Sequence, residues 1–353
     1  MLGLLLVLGG CGAVASGPPA ADPALHRGMT FASWWEGQYA SPGADRSLAN
    51  LAATGANWVA IIVTGYQDTH ASTTIRREQP RTPSDADLIH AIAKAHELGL
   101  RVLLKPHVDL EHAPGYWRGR IGDGFASEAE WQAWFAAYRA FIGHYARLAQ
   151  AQGVALFSVG TELLGTSHRE DDWREMVAAV RALYAGPLTY AANHGGEEVG
   201  ITWWDAVDYI GVDAYYPLSE EPDPRLDALR AAWVDEGHVD TLAGLSRTFG
   251  RPVLLTELGY RSAAGAAKEP WVYETTRPVD LDLQARAYQA ALEALWGRPW
   301  LAGIYWWYWD TDPEAGGEAD AGYTPFAKPA EEVLRSFWLA PEPSPVASGP
   351  PAP

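Results

Sequence analysis

The sequence predicts an α/β protein built as one (β/α)8 TIM barrel, a single domain, and three observations predict it. Eight short apolar runs recur along the chain, at 28–34, 57–64, 101–108, 156–162, 188–193, 208–214, 252–258 and 302–308. Between them the apolar spacing changes to that of amphipathic helices. No phosphate-cradling loop follows the first run, and neither GxGxxG there nor GxxxxGK[ST] anywhere supports the runner-up, an open doubly wound sheet for nucleotides.

Taken in order, the first run is followed by a helix at 46–54 that stops before Gly55. After the second run, Leu88, Ile89, Ile92, Ala95 and Leu98 form a helical stripe ending at Gly99. Trp131, Trp134, Phe135, Tyr138, Phe141, Ile142 and Tyr145 form the next, before Gly153. Further helices are expected at 171–184, before Gly186, at 225–248, before Gly250, and at 281–296 and 329–338. Glycine just past a periodic segment supplies the left-handed residue with which many helices end.

The barrel is expected to fill 28–340. Residues 1–11 read as a signal peptide with a lipobox-like end, Leu8-Gly9-Gly10-Cys11, too short to span a bilayer. Cys11 is the expected lipidation site and 12–27 a flexible linker, which makes the protein exported, either tethered or secreted; a cleaved signal with an incidental cysteine is the alternative. Residues 341–353 form a Pro-rich tail. Cys11 is also the single cysteine, which excludes a disulfide framework and a cysteine-based metal site.

A formal net charge of −18 argues against nucleic acid or an anionic membrane surface as a partner, leaving membrane contact to the lipid anchor alone. The 17 Trp and 16 Tyr suit a sugar ligand, whose apolar ring faces stack on aromatics, although most of these side chains belong in the core. A monomer without cofactor is expected.

In a TIM barrel all strand exits share one rim, which carries the chemistry. Here the exits bring Trp34, Trp35 and Glu36; Thr64, Tyr66 and Gln67; Lys105, His107 and Asp109; Glu162; Asn193 and His194; Asp213, Tyr215 and Tyr216; Glu257 and Tyr260; and Trp306, Trp307, Trp309 and Asp310. Two of the apolar runs end in nearly the same words, Gly160-Thr161-Glu162 and Thr256-Glu257-Leu258-Gly259-Tyr260. Burying a carboxylate inside a strand is costly, so each glutamate belongs at an exit, and two of them on one rim form the pair that glycosidic-bond hydrolysis requires. An ion pair with Lys105 or Arg261 is the structural alternative for either. The His107, Asp109, Glu111, His112 run suggests a metal only weakly, because strand one ends in Ser33-Trp34-Trp35 with no His-x-His; hydrogen bonds from His107 and Asp109 to sugar hydroxyls are preferred.

Those two glutamate phrases, with Lys105-Pro106-His107 and Tyr305-Trp306-Trp307, resemble glycoside hydrolase family 113, the β-1,4-mannanases of the retaining barrel clan GH-A, over about residues 28–338. The resemblance implies Glu162 as acid/base and Glu257 as nucleophile; in those roles Glu162 must hold a proton, which repulsion from Glu257 favours, and Glu257 must stay ionised, which a donor such as Tyr215 assists. It also implies a tryptophan of strand eight as the floor under the reacting sugar, with Trp306 taken as that residue rather than Trp307. Trp35, Glu36, Lys105, His107, Asp109, Asn193, Asp213, Tyr215, Trp306 and Trp307 complete the expected substrate-binding set. The implied reaction is hydrolysis of mannan or glucomannan; hydrolysis of another β-glycan, or a non-catalytic carbohydrate-binding lipoprotein, are the rivals.

Overall fold

The computed structural model describes residues 24–77, 80–273 and 276–341. The signal segment, Cys11, most of the linker and the tail from 342 lie outside the described residues.

Eight strands close into a parallel barrel in chain order. They are β1 (His26–Ala32), β2 (Trp58–Gln67), β3 (Arg101–Leu110), β4 (Leu156–Thr161), β5 (Leu188–Asn193), β6 (Tyr209–Asp213), β7 (Val253–Leu258) and β8 (Leu301–Asp310). Strands buried on both faces read as continuous apolar runs, and β2 is buried at all ten positions. Around them lie α1 (Pro42–Ala52), α2 (Asp85–Glu97), α3 (Glu128–Ala151), α4 (Leu164–Ser167), α5 (Glu170–Arg181), α6 (Glu197–Gly200), α7 (Leu226–Asp235), α8 (His238–Phe249), α9 (Leu281–Leu295) and α10 (Pro329–Trp338). None of the described helices is long and apolar enough to cross a membrane.

The starts of the helices follow local chemistry. Ser41 caps α1, Ser84 and Asp87 form a reciprocal capping box at α2, and Ser127 caps α3. Helix α1 begins at Pro42, four residues before the expected start, because proline is well suited to a first turn whose N–H has no partner. Helices end as expected near Gly55, Gly99, Gly153 and Gly250, all with positive φ. At Gly186 no positive φ occurs; α5 stops earlier, at Arg181. The segment read as one helix over 225–248 is two, α7 and α8, because Gly237 adopts a left-handed φ of 80° between them.

Two apolar layers hold the barrel. The larger lies between strands and helices. The smaller fills the lower barrel with Trp58, Leu103, Leu156, Tyr209, Leu254 and Tyr305. Tyr305 needs Gly28 opposite it, since a Cβ there would stand 2.4 Å from the tyrosine ring. Plugging the bottom leaves the upper rim as the open end.

Candidate active site

Glu162 is the residue immediately after β4, and its φ of 52° lies in the left-handed region. A side chain there costs about 1–2 kcal/mol, a strain that persists where surroundings over-determine it. Its N–H donates to the Ala191 carbonyl at 2.8 Å, and the next N–H, of Leu163, to the Tyr190 hydroxyl at 2.8 Å. The turn thus points the carboxylate into the barrel mouth. Asn193 Nδ2 donates to its Oε1 at 2.9 Å and Arg118 Nη1 to its Oε2 at 3.3 Å, yet the side chain keeps 14% of its surface exposed.

Behind Glu162 sits Glu197 at the start of α6. It accepts from Tyr190 Oη at 2.5 Å and from the Asn193 N–H at 2.7 Å. Burial, opposed by those donors and reinforced by the charge of Glu162, pushes this carboxyl up to about 8. A group raised in the folded state stabilises fully below its unfolded value near 4.5, and that contribution is lost as pH rises through about 8. We therefore predict that thermal stability falls between pH 5 and 9 more steeply in the wild type than in Glu197→Gln. Parallel curves in differential scanning calorimetry would refute the assignment.

Glu257 is the penultimate residue of β7 and is nearly buried, 4% exposed. Lys105 Nζ, from β3, donates to its Oε1 at 2.5 Å and to both oxygens of Asp213, from β6, at 2.9 and 3.0 Å. Tyr215 Oη donates to Oε2 of Glu257 at 2.7 Å. Both oxygens of Glu257 are therefore used as acceptors, as are those of Glu162, but Glu257 takes its shortest bond from a fully buried ammonium whereas the cation on Glu162 stands at 3.3 Å. Burial opposes the charge on Lys105, but Asp213 and Glu257 outweigh it and hold the ammonium above its ordinary value. Burial and the charge of Glu257 push Asp213 upward, with Lys105 opposing. Thr256 Oγ1 also donates to Asp213, at 2.8 Å, so donors alone surround its oxygens and we assign it as carboxylate.

A third group joins the two glutamates. Arg118, in the loop after β3, donates to Asp109 through Nε at 2.9 Å and reaches His107 Nδ1 at 3.0 Å as well as Glu162. His107 Nε2 lies 3.9 Å from Oε1 of Glu257. The cleft over these groups has a volume of about 1020 Å³ and takes its walls from Trp34, Tyr116, Trp117, Trp271, Tyr273, Trp307, Tyr308 and Tyr323 besides the polar residues. Tyr323 holds the wall carrying Trp271, since its hydroxyl donates to the carbonyls of Pro270 and Val272.

The profile of Glycoside Hydrolase Family 113 matches residues 29–328. The chain belongs to that family. Two solved family 113 structures align along almost their whole length. One is a β-1,4-mannanase complex, with 29% identity, a TM-score of 0.80, 90% of this chain and 99% of the other. The second is the β-mannanase of Alicyclobacillus acidocaldarius bound to ManMIm, with 33% identity, a TM-score of 0.80, and coverage of 90% and 98%. A β-D-glucuronidase of Dictyoglomus thermophilum, at 14% identity, TM-score 0.58, and coverage of 91% and 52%, shares the fold alone. No curated protein matches. The protein is thus a glycoside hydrolase with a single-domain (β/α)8 barrel.

On this family 113 barrel the structure brings Lys105, His107, Asp109, Glu162, Asn193, Asp213, Tyr215, Glu257 and Trp307 to one place. Three expected residues lie elsewhere. Trp35 is 53% exposed and Glu36 is also exposed; neither lines the cleft, whereas Trp34 does. Trp306 is fully buried on the helix side, stacked on Tyr288 with ring centres 3.9 Å apart. Trp307 takes the cleft position instead. Strict alternation would send Trp309 the same way as Trp307, but Trp309 is buried, donating to the Ser47 carbonyl at 3.0 Å. The cause is a register shift: Met29 faces Trp306 and Phe31 faces Trp309, two residues on β1 against three on β8. Residues 107–112 disperse, with His107 and Asp109 on Arg118, Glu111 on Arg76 and Arg81, and His112 on Asp68. Arg118, Glu197, Trp271, Tyr273 and Tyr323 belong to loops or a short helix without periodicity, and no sequence pattern pointed to them.

Proposed function

We propose that the enzyme is a retaining endo-β-1,4-mannanase acting on mannan or glucomannan. The observation that carries the reading is the different setting of two carboxylates on one cleft. Glu257, nearly buried and fixed by the Lys105 ammonium and the Tyr215 hydroxyl, attacks the anomeric carbon. Glu162, at the more open side, gives its proton to the departing glycosidic oxygen and then takes one from the water that cleaves the glycosyl-enzyme. Trp307 and the aromatic walls offer faces to the sugar rings. Mannan is favoured because the family 113 structures that align over nine tenths of the chain are β-mannanases.

Hydrolysis of defined β-1,4-manno-oligosaccharides followed by NMR tests both parts. Internal cleavage with the β-anomer of the product appearing first is expected; the α-anomer first, or cleavage confined to other β-glycans, refutes the corresponding part. Tyr215→Phe removes one donor from Glu257 without emptying space, and a loss of about 10- to 100-fold in kcat is expected. An unchanged kcat would show that this hydroxyl does no work in the reaction. We further propose that export proceeds through residues 1–11 and that Cys11 carries the lipid. Cell fractionation of Cys11→Ala should move the enzyme from membrane to soluble fractions, and an unaltered distribution would count against the tether.

A further inference from the structure

Arg118 cannot accept a hydrogen bond, and its Nη1 stands 3.0 Å from Nδ1 of His107, so that ring nitrogen must be the acceptor and the proton of the neutral ring sits on Nε2. The ring is neutral because burial, joined by the charges of Arg118 and Lys105, drives His107 well below its ordinary value. Nε2–H finds no acceptor among the described residues. It lies 3.9 Å from Oε1 of Glu257, beyond hydrogen-bond reach, and that oxygen already accepts from Lys105 at 2.5 Å. A buried donor with no acceptor is costly, and here it lines the substrate cleft beside the attacking oxygen.

When Glu257 bonds to the anomeric carbon, the hydroxyl on the adjacent carbon is the substituent nearest to the new bond. Of the other donors at the cleft, Asn193 Nδ2 serves Glu162 and Tyr215 Oη serves Glu257, while His194 Nδ1, also without a partner, belongs to a ring packed on Tyr216 and Trp271 rather than beside Oε1 of Glu257. Thr161 Oγ1 has none, but Thr161 is buried and does not line the cleft. We infer that His107, locked by Arg118 with its proton on Nε2, donates that proton to the 2-hydroxyl of the sugar undergoing attack. His107 is then a specificity-determining group that reads the one position at which mannose and glucose differ, and Arg118 is a positioning residue acting through it. The inference rests on Glu257 as nucleophile.

The test is a substrate cycle with dinitrophenyl β-mannobioside and its analogue lacking the 2-hydroxyl on the sugar that bears the leaving group. His107→Ala should lower kcat/KM on the parent by about 100-fold while changing that on the 2-deoxy analogue by only a few-fold, since hydrogen bonds to this hydroxyl strengthen in the transition state. Equal losses on both substrates would overturn the inference and leave the proposed reaction intact. Should the wild type reject β-mannosides and cleave β-glucosides, the substrate reading fails, and the same pair in the gluco series tests His107. Nitrogen-15 NMR supplies an independent readout, with the His107 signals identified by their loss in His107→Gln. An unprotonated Nδ1 and a protonated Nε2 are expected in the wild type, and release of that preference in Arg118→Met. A proton on Nδ1 of the wild-type ring, or an identical tautomer in Arg118→Met, would overturn the role given to Arg118.

Discussion

Replacing Glu257 by Ala is expected to lower turnover of β-mannan by at least about 10⁴-fold, since it removes the carboxylate assigned to form and release the glycosyl ester. Added azide should partly restore the reaction on an activated aryl substrate. The small anion enters the space left on the nucleophile's side, attacks once, and yields the α-glycosyl azide. Glu162→Ala should behave oppositely. It keeps Glu257, so formation of the glycosyl-enzyme from a dinitrophenyl substrate, which needs no acid, survives, and azide resolves it to the β-glycosyl azide. The two azide anomers, separable by NMR, therefore distinguish the roles of the two glutamates. The same anomer from both variants would remove the asymmetry on which the mechanism rests.

The second large effect concerns Lys105, whose ammonium is fully buried between Asp213 and Glu257. Lys105→Met keeps most of the volume but leaves two carboxylates without their counter-charge. Breaking a buried pair from one side costs about 3–5 kcal/mol, so denaturant unfolding should show a loss of that order. Asp213→Asn in the same chain should recover part of it by removing one of the stranded charges. The single variant should also lose at least about 100-fold in kcat, because Oε1 of Glu257 is no longer held for attack. Unchanged stability would mean that the Lys105, Asp213 and Glu257 cluster is not the charged network described.

Much of this was legible in the sequence, and the reason is physical. Parallel strands covered on both faces must be apolar runs, so β2, β4 and β7 stand out, and a glutamate at the end of such a run can only be at an exit. The contribution of Lys105 is not legible in the sequence, where an ion pair with a glutamate reads as an alternative to function. In the structure the ion pair is how Glu257 is held in the cleft. Alternation separates Trp306 from Trp307 without saying which of them faces the mouth, and it fails for Trp309, since the register shift between β1 and β8 depends on pairing with a strand at the far end of the chain. The helix expected over 225–248 failed at Gly237, where a local left-handed residue outweighed continuous periodicity. Arg118 was invisible for another reason. Its contacts to His107, Asp109 and Glu162 come from a loop whose path follows no repeating pattern.

The central claim is that Glu257, and not another carboxylate of the cleft, forms the covalent bond to the sugar. A 2-deoxy-2-fluoro β-mannosyl substrate with a good leaving group slows both steps and accumulates the glycosyl-enzyme. Peptide mass spectrometry of the trapped protein should then place one added sugar on Glu257. A label on Glu162, Asp109 or Asp213, or complete hydrolysis of the natural substrate with inverted product and no label at all, would contradict the account.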